Sequence, residues 1–365
     1  MKNKTKPQNY HDYLKLESLL SCQELLSDQA GEKAHDEMLF IITHQVYELW
    51  FKQILFELDS IFEVFDRDKI DESHIGVVVG RLERINEIQQ LLIDQIKILE
   101  TMTPMDFLNF RDLLTPASGF QSAQFRLIEN KFGLKNINRH GYGGVDYKSK
   151  IDKRETELVQ ESEQSLSLFD LIEQWLERTP FLVFDEFDFW DQYRVAVQRM
   201  ITKDKNIIKV NEKLPKDEKD NYLKQYKSTE KMFMSFFDEE IFSKRLESGE
   251  NRLSYKATHA ALLILLYRDQ PILHNPYRLL SKLIDLDELL TTWRYKHYLL
   301  ATRMIGRKIG TGGSVGASYL KKATSKHRIF DDLTSLTTFL IPRSDLPDLP
   351  KKVLKSLSFY YESKG

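Results

Sequence analysis

An all-α fold in one domain is what this sequence predicts, and three observations predict it. Apolar residues recurring at helical spacing dominate the chain, convincing alternating strands are hard to find, and no linker is long enough to separate independent units. The chain has 365 residues, more than a usual single domain, yet its composition shifts little from end to end. Aromatic residues make up 12%, enough for a sizeable core, so residues 1–365 are read as one domain.

The first long helix is expected through HDEMLFIITHQVYELWFKQILFELDSI, residues 35–61, where Val46, Trp50, Ile54, Leu58 and Ile61 form a stripe that should be buried. Residues 82–99 repeat the pattern through Ile85, Ile88, Leu92, Ile96 and Leu99. Another helix is expected from about 165 to 178. It is stopped by Thr179 and Pro180, because the residue before a proline disfavours helical angles. Residues 255–267 are apolar almost all round, which places them centrally in the core. Residues 289–305 are amphipathic again, through Leu290, Trp293, His297, Leu300, Ala301 and Met304. Between 203 and 231 the chain turns rich in Lys, Asp and Glu around Pro215. A charged helical insertion with a mobile turn explains this more simply than a partner-binding arm. Glycine breaks the helical rhythm at Gly119, at 141–144 and at 310–316.

Bulk properties exclude several functions. With 53 basic against 55 acidic residues, no broad basic field is available to hold nucleic acid or an anionic membrane. Cys22 is the single cysteine, which rules out an intrachain disulfide, a cysteine-based zinc site and a CxxCH haem attachment. The polar N-terminus lacks the apolar core of a signal peptide, and the longest apolar run, AALLILLY at 260–267, is too short to span a bilayer. A soluble, cytoplasmic protein is expected.

Four motifs carry chemistry. His44 sits in an apolar, aromatic-rich helix with Phe40 one turn earlier on the same face, and its ring nitrogens need either a structural carbonyl or a ligand. In FRDLLTPASGFQSAQFR, Arg111 lies among Phe107, Leu108, Phe110, Leu113 and Leu114. A guanidinium so placed needs an anion, either an internal carboxylate or a bound one that suits its planar fork. Ser118 and Gly119 follow Pro116 in a turn whose small residues let backbone approach a ligand. His297 lies on an apolar helix face backed by Trp293, which is how a protein offers an axial nitrogen to haem iron and also how core histidines commonly look. GTGGSVG, at 310–316, matches neither a P-loop nor GxGxxG, and leaves a loop of backbone N–H groups with the hydroxyls of Thr311 and Ser314.

In combination these blocks are specific. HDEMLFIITHQVYELWFKQILFELD, FRDLLTPASGFQSAQFRLIENKFG, LIEQWLERTP, NRLSYKA and LTTWRYKHYLL…RMIGRKIGTGGSVGASYL occur in that order. Together they closely resemble the tryptophan 2,3-dioxygenase family from about Tyr10 to Pro342, with the loosest match at 203–231.

The resemblance implies a haem pocket between core helices, with haem b held by His297 as the axial iron ligand, fourteen residues before Thr311. It places the distal histidine at His44, the ring-clamping aromatic at Phe40 and the carboxylate-binding arginine at Arg111. Ser118 and Gly119 fall beside the haem, and Thr311 falls at the substrate's amino-acid end. Tyr10 and Tyr13 match tyrosines that enter a neighbouring subunit's pocket, which implies a homotetramer, a dimer of dimers with exchanged N-terminal segments. Met38, Phe107 and the HGYGGVDY stretch depart from some family members without removing a mapped group. The implied reaction inserts both atoms of O2 across the indole C2–C3 bond of L-tryptophan. It gives N-formyl-L-kynurenine, the first step of tryptophan catabolism along the kynurenine pathway. A relaxed indoleamine-type dioxygenase is disfavoured by Arg111, and a haem sensor by the amino-acid clamp. A cofactor-free helical scaffold would leave His44 and His297 as core histidines.

Overall fold

The computed structural model describes residues 8–67, 70–135, 139, 147–178, 183–184, 187–306, 308, 320, 324 and 327–357. The N-terminal segment carries three short helices, α1 (Tyr10–Leu14), α2 (Leu16–Leu20) and α3 (Leu26–Gln29). Two long antiparallel helices follow, α4 (Glu37–Phe65) and α5 (Glu72–Leu99), and the Tyr47 hydroxyl of α4 donates to the Leu92 carbonyl of α5 at 2.5 Å. Then come α6 (Pro104–Arg111), α7 (Ala123–Phe132), α8 (Lys153–Gln164) and α9 (Leu168–Glu177). The second half holds α10 (Phe189–Val210), α11 (Lys216–Phe236), α12 (Glu239–Glu247), α13 (Tyr255–Leu266) and the longest helix, α14 (His274–Ile305). Among the described residues the extended structure is one antiparallel pair, Val183–Phe184 against Phe187–Asp188.

Local sequence explains where the helices start and stop. Asp71, Thr103 and Ser167 each form a capping box that satisfies the orphan N–H groups of α5, α6 and α9, and Pro104 occupies the first turn of α6. Gly133 ends α7 at φ 114°, where a Cβ would fall 2.7 Å from that of Phe169, so this close approach of α7 and α9 requires glycine.

The main core cluster reaches from α4 to the C-terminal helix Lys351–Leu357, with smaller clusters beside it. As expected, α13 is central: its residues from Ala257 to Ile264 are buried without interruption. The stripe Ile85, Ile88, Leu92, Ile96 and Leu99 is likewise buried, and α14 packs along α5. Two expectations need adjustment, and the charged stretch is helical as expected. Helix α5 starts about ten residues earlier than the periodicity alone suggests, because Ile75, Val78, Val79 and Leu82 extend its buried face. Val46 and Trp50 are only half-buried, with Trp50 packed at the margin of the core. The charged stretch is part of a helical hairpin of α10 and α11, joined across by Lys205–Glu230 and by the Tyr226 hydroxyl donating to Asp204 at 3.4 Å. No helix among the described residues is long and apolar enough to cross a membrane.

Candidate functional site

The candidate site lies where α4 and α14 face one another, and the register there follows from two contacts. Phe40 of α4 and Met304 of α14 pack in one aromatic cluster with Phe107 and Phe110. One helical stretch away, the rings of Tyr47 and Trp293 lie 6.1 Å apart. The helices therefore run antiparallel here, and His44, between Phe40 and Tyr47, faces the stretch holding His297, between Trp293 and Met304. The two imidazoles are close enough that a charge on His44 opposes protonation of His297. Both rings keep solvent-reachable surface, yet protein crowds them on the remaining sides.

The wall beside His44 is aromatic. The Phe40 ring lies 4.1 Å from the His44 ring, 5.8 Å from Phe107 and 5.6 Å from Phe110, and the two phenylalanines of α6 meet edge to face at 5.4 Å. His44 Nδ1 lies 2.7 Å from the Phe40 carbonyl oxygen. A carbonyl can only accept, so Nδ1 carries the proton and Nε2 of the neutral ring is left as an acceptor. Burial holds the His44 pKa below its ordinary value of 6.5, against the opposing pull of the Phe40 carbonyl and Glu48, which keeps that neutral form at physiological pH.

On the facing helix, burial lowers His297 to about 4, with His44 adding to the effect, so this imidazole also offers a lone pair. Its ring lies 5.3 Å from that of Trp293, which in turn contacts Phe125 at 5.1 Å. One turn before His297, Arg294 donates to Glu129 at 2.7 Å and to the His327 carbonyl at 2.9 Å. Glu129 also meets Arg126 at 2.8 Å and Arg139 at 2.6 Å. Burial pushes its carboxyl up, but the three guanidiniums outweigh this and hold it well below the usual carboxylate range. This buried ion cluster fixes the roll of α14 and hence the aim of His297.

Arg111 ends α6 directly after Phe110. Its side chain is 16% exposed and meets Asp112 at 3.3 Å, whereas Asp112 is 89% exposed. Ser118 caps the short turn Gly119–Gln121, with its backbone N–H donating to Gln121 at 3.0 Å. A Cβ at Gly119 would meet no atom within 4 Å, so this backbone borders open space. Tyr10 and Tyr13 stand on α1 at 74% and 71% exposure and do not enter the pocket of their own chain. Thr311 and the glycine-rich stretch at 310–316 lie outside the described residues, as does HGYGGV at 140–145.

The structure thus brings together Phe40, His44 and His297, adds Phe107 and Phe110 to the wall, and sets Arg111 at its edge. Sequence reading did not single out Glu129, Arg126 or Arg294. The i, i+3 spacing of Arg126 and Glu129 beside apolar neighbours is the one local trace of that cluster.

Comparison with known proteins shows the family. The family model described as tryptophan 2,3-dioxygenase matches residues 1–340. The chain is 53% identical over 356 residues to the tryptophan 2,3-dioxygenase of Bdellovibrio bacteriovorus, covering 97% of this chain and 99% of that protein. It is 48% identical over 351 residues to the one from Dictyostelium discoideum (96% and 88% covered). Against the one from Xenopus tropicalis it is 46% identical over 350 residues (95% and 86% covered).

Proposed function

The chain belongs to the tryptophan 2,3-dioxygenase family, and from that premise we propose that His44 and His297 flank one haem b per subunit, over which L-tryptophan is bound and oxidised. The protein is an oxidoreductase of tryptophan catabolism that opens the indole ring to N-formyl-L-kynurenine. The observation that supports the site assignment is the antiparallel register of α4 and α14, which sets two neutral imidazoles on facing stretches; we read the space between those stretches as one crevice.

The donor set suits a haem. His297 is a neutral imidazole, and among the described residues no three His, Cys, Asp or Glu side chains gather as a metal group. A single axial nitrogen fits a metal whose other donors arrive with a macrocycle. His297 would hold the iron, while Ser118 and the bare backbone at Gly119 would border the ring. When bound, the haem supplies the chemistry that activates O2 and delivers both oxygen atoms across indole C2–C3.

The protein's own residues bind and orient. Arg111 pairs with the substrate carboxylate, and Thr311 is assigned to the amino-acid end. The cluster of Phe40, Phe107 and Phe110 holds the indole ring and excludes water. His44, with its proton fixed on Nδ1 by the Phe40 carbonyl, accepts the indole N–H at Nε2. An acceptor held in that tautomer orients the ring without having to act as an obligatory base.

We read residues 1–365 as one domain, supported by the shared core, and as a homotetramer built as a dimer of dimers. The exposure of Tyr10 and Tyr13 supports their insertion into a neighbouring subunit's pocket. The single cysteine and balanced charge support a cytoplasmic setting. The decisive experiment incubates reduced, haem-loaded protein with L-tryptophan and O2. Formylkynurenine formed in step with O2 consumed is the expected result; haem-loaded protein that leaves tryptophan intact would overturn the reading.

A further inference from the structure

The segment preceding α4 buries almost nothing of itself: among residues 8–36 only Ser27 and Ala34 are buried. A segment so thinly covered is held by specific ties, and α4 supplies them. Glu37, wholly buried, accepts the Leu26 N–H at 2.8 Å, the Ser27 N–H at 2.9 Å and the Ser27 hydroxyl. The Ser27 hydroxyl oxygen accepts in turn from the Ala34 N–H at 2.9 Å. Gln45 makes the second tie, donating to the Cys22 carbonyl at 2.9 Å and accepting from Gln23 at 2.7 Å.

Both ties come from the stretch of α4 that bears the distal wall. Glu37, Phe40 and His44 share one helix face at i, i+3 and i+7, and Gln45 directly follows His44. The inner end of the segment is itself part of that wall. Ala34 packs with Phe40, Phe107 and Phe110, and α3 lies against the turn Asp112–Leu114 that continues from Arg111. A buried carboxylate is tolerated only when its oxygens are hydrogen-bonded, and here three donors fix both the carboxylate and the segment that supplies them.

We propose that Glu37 is a positioning residue for the substrate pocket. By gripping Leu26 and Ser27 it holds residues 26–34 against the aromatic wall and the turn after Arg111, so that tryptophan affinity depends on it and the chemical step does not. This rests on the reading of the crevice as the tryptophan site.

The test compares Glu37→Gln with Glu57→Gln in the haem-loaded full chain. Glu57 is also a buried carboxylate of α4, tied to Arg84 at 2.8 Å and Arg81 at 3.4 Å, but it lies more than three turns beyond His44. The measurements are kcat, KM, the L-tryptophan dissociation constant by optical titration, and the melting temperature. Glu37→Gln is expected to raise KM and the dissociation constant about tenfold, a 1.4 kcal/mol change, with kcat at saturation and the Soret band near wild type. Glu57→Gln is expected to lower the melting temperature and leave KM in place. Wild-type affinity in Glu37→Gln, or an equal KM shift in Glu57→Gln, overturns the proposal. Should Glu37→Gln fail to fold, Ser27→Ala removes one donor and the Ala34 tie and is expected to raise KM severalfold; an unmoved KM there also overturns it. Wild-type protein that does not bind tryptophan overturns the functional reading and this inference together, whereas wild-type binding with an unmoved Glu37→Gln overturns this inference alone.

Discussion

Replacing Arg111 by Met removes the charge while keeping an unbranched side chain of similar reach. The pair that Arg111 makes with Asp112, at 3.3 Å, faces solvent through a carboxylate that is 89% exposed. Such exposed pairs contribute about 0.2–1 kcal/mol, so Asp112→Asn is expected to alter tryptophan affinity by less than about fivefold. The guanidinium itself is only 16% exposed and follows Phe110, which is fully buried in the aromatic wall. A substrate carboxylate left without its partner in that setting costs about 2–5 kcal/mol. At 1.4 kcal/mol per factor of ten, Arg111→Met is expected to weaken L-tryptophan binding at least about 30-fold. Tryptamine, which has no carboxylate, should bind the variant and the wild type alike. Optical titration of the haem-loaded proteins with both ligands reads this directly. Tryptophan affinity within about threefold of wild type in Arg111→Met, or an equal loss for tryptamine, would refute the carboxylate role.

Three further outcomes follow from the geometry. His297→Ala is expected to lose haem on gel filtration, read as disappearance of the Soret band, and an unchanged band would remove His297 as the iron ligand. His44→Ala is expected to keep haem and lower kcat/KM about 3- to 10-fold, the value of one neutral hydrogen bond, and a haem-free product would contradict the distal assignment. The third concerns pH. His259 sits in an aromatic box, 3.9 Å from Trp190 and 4.0 Å from Tyr255, and burial lowers its pKa from 6.5 to about 4. The unfolded chain therefore takes up a proton that the folded protein refuses, so stability is full above pH 6.5 and falls as the pH drops toward 4. The loss amounts to about 3 kcal/mol for this group. Urea unfolding midpoints measured between pH 7 and 5 should decline in the wild type and less steeply in His259→Phe; identical slopes would show that His259 does not titrate as described.

Much of the helical plan was legible because burial on one face imposes a period on the sequence. Ile85, Ile88, Leu92, Ile96 and Leu99 announce α5, and the apolar run at 260–267 announces the central helix. The early start of α5 escaped because Gly76 and Gly80 interrupt the pattern in its first turns. The site residues were legible as anomalies, a histidine or an arginine where apolar neighbours make such groups costly. Their grouping into one catalytic set came from family resemblance and not from spacing.

The residue pattern by itself determined that the chain is helical, which faces of α5, α13 and α14 are apolar, and that His44, Arg111 and His297 need a structural or bound partner for their polar groups. Only the tertiary structure decided that α4 and α14 run antiparallel where they face one another, that the Phe40 carbonyl sets the tautomer of His44, and that Glu129 ties the helix of His297 through Arg294. Glu37 belongs with these. Its importance lies in which N–H groups, from a segment folded back on it, it meets. Periodicity encodes what a helix hides from water, because that cost is local. A hydrogen bond between side chains 165 positions apart leaves no local trace, because its partner is chosen by the packing of the whole chain.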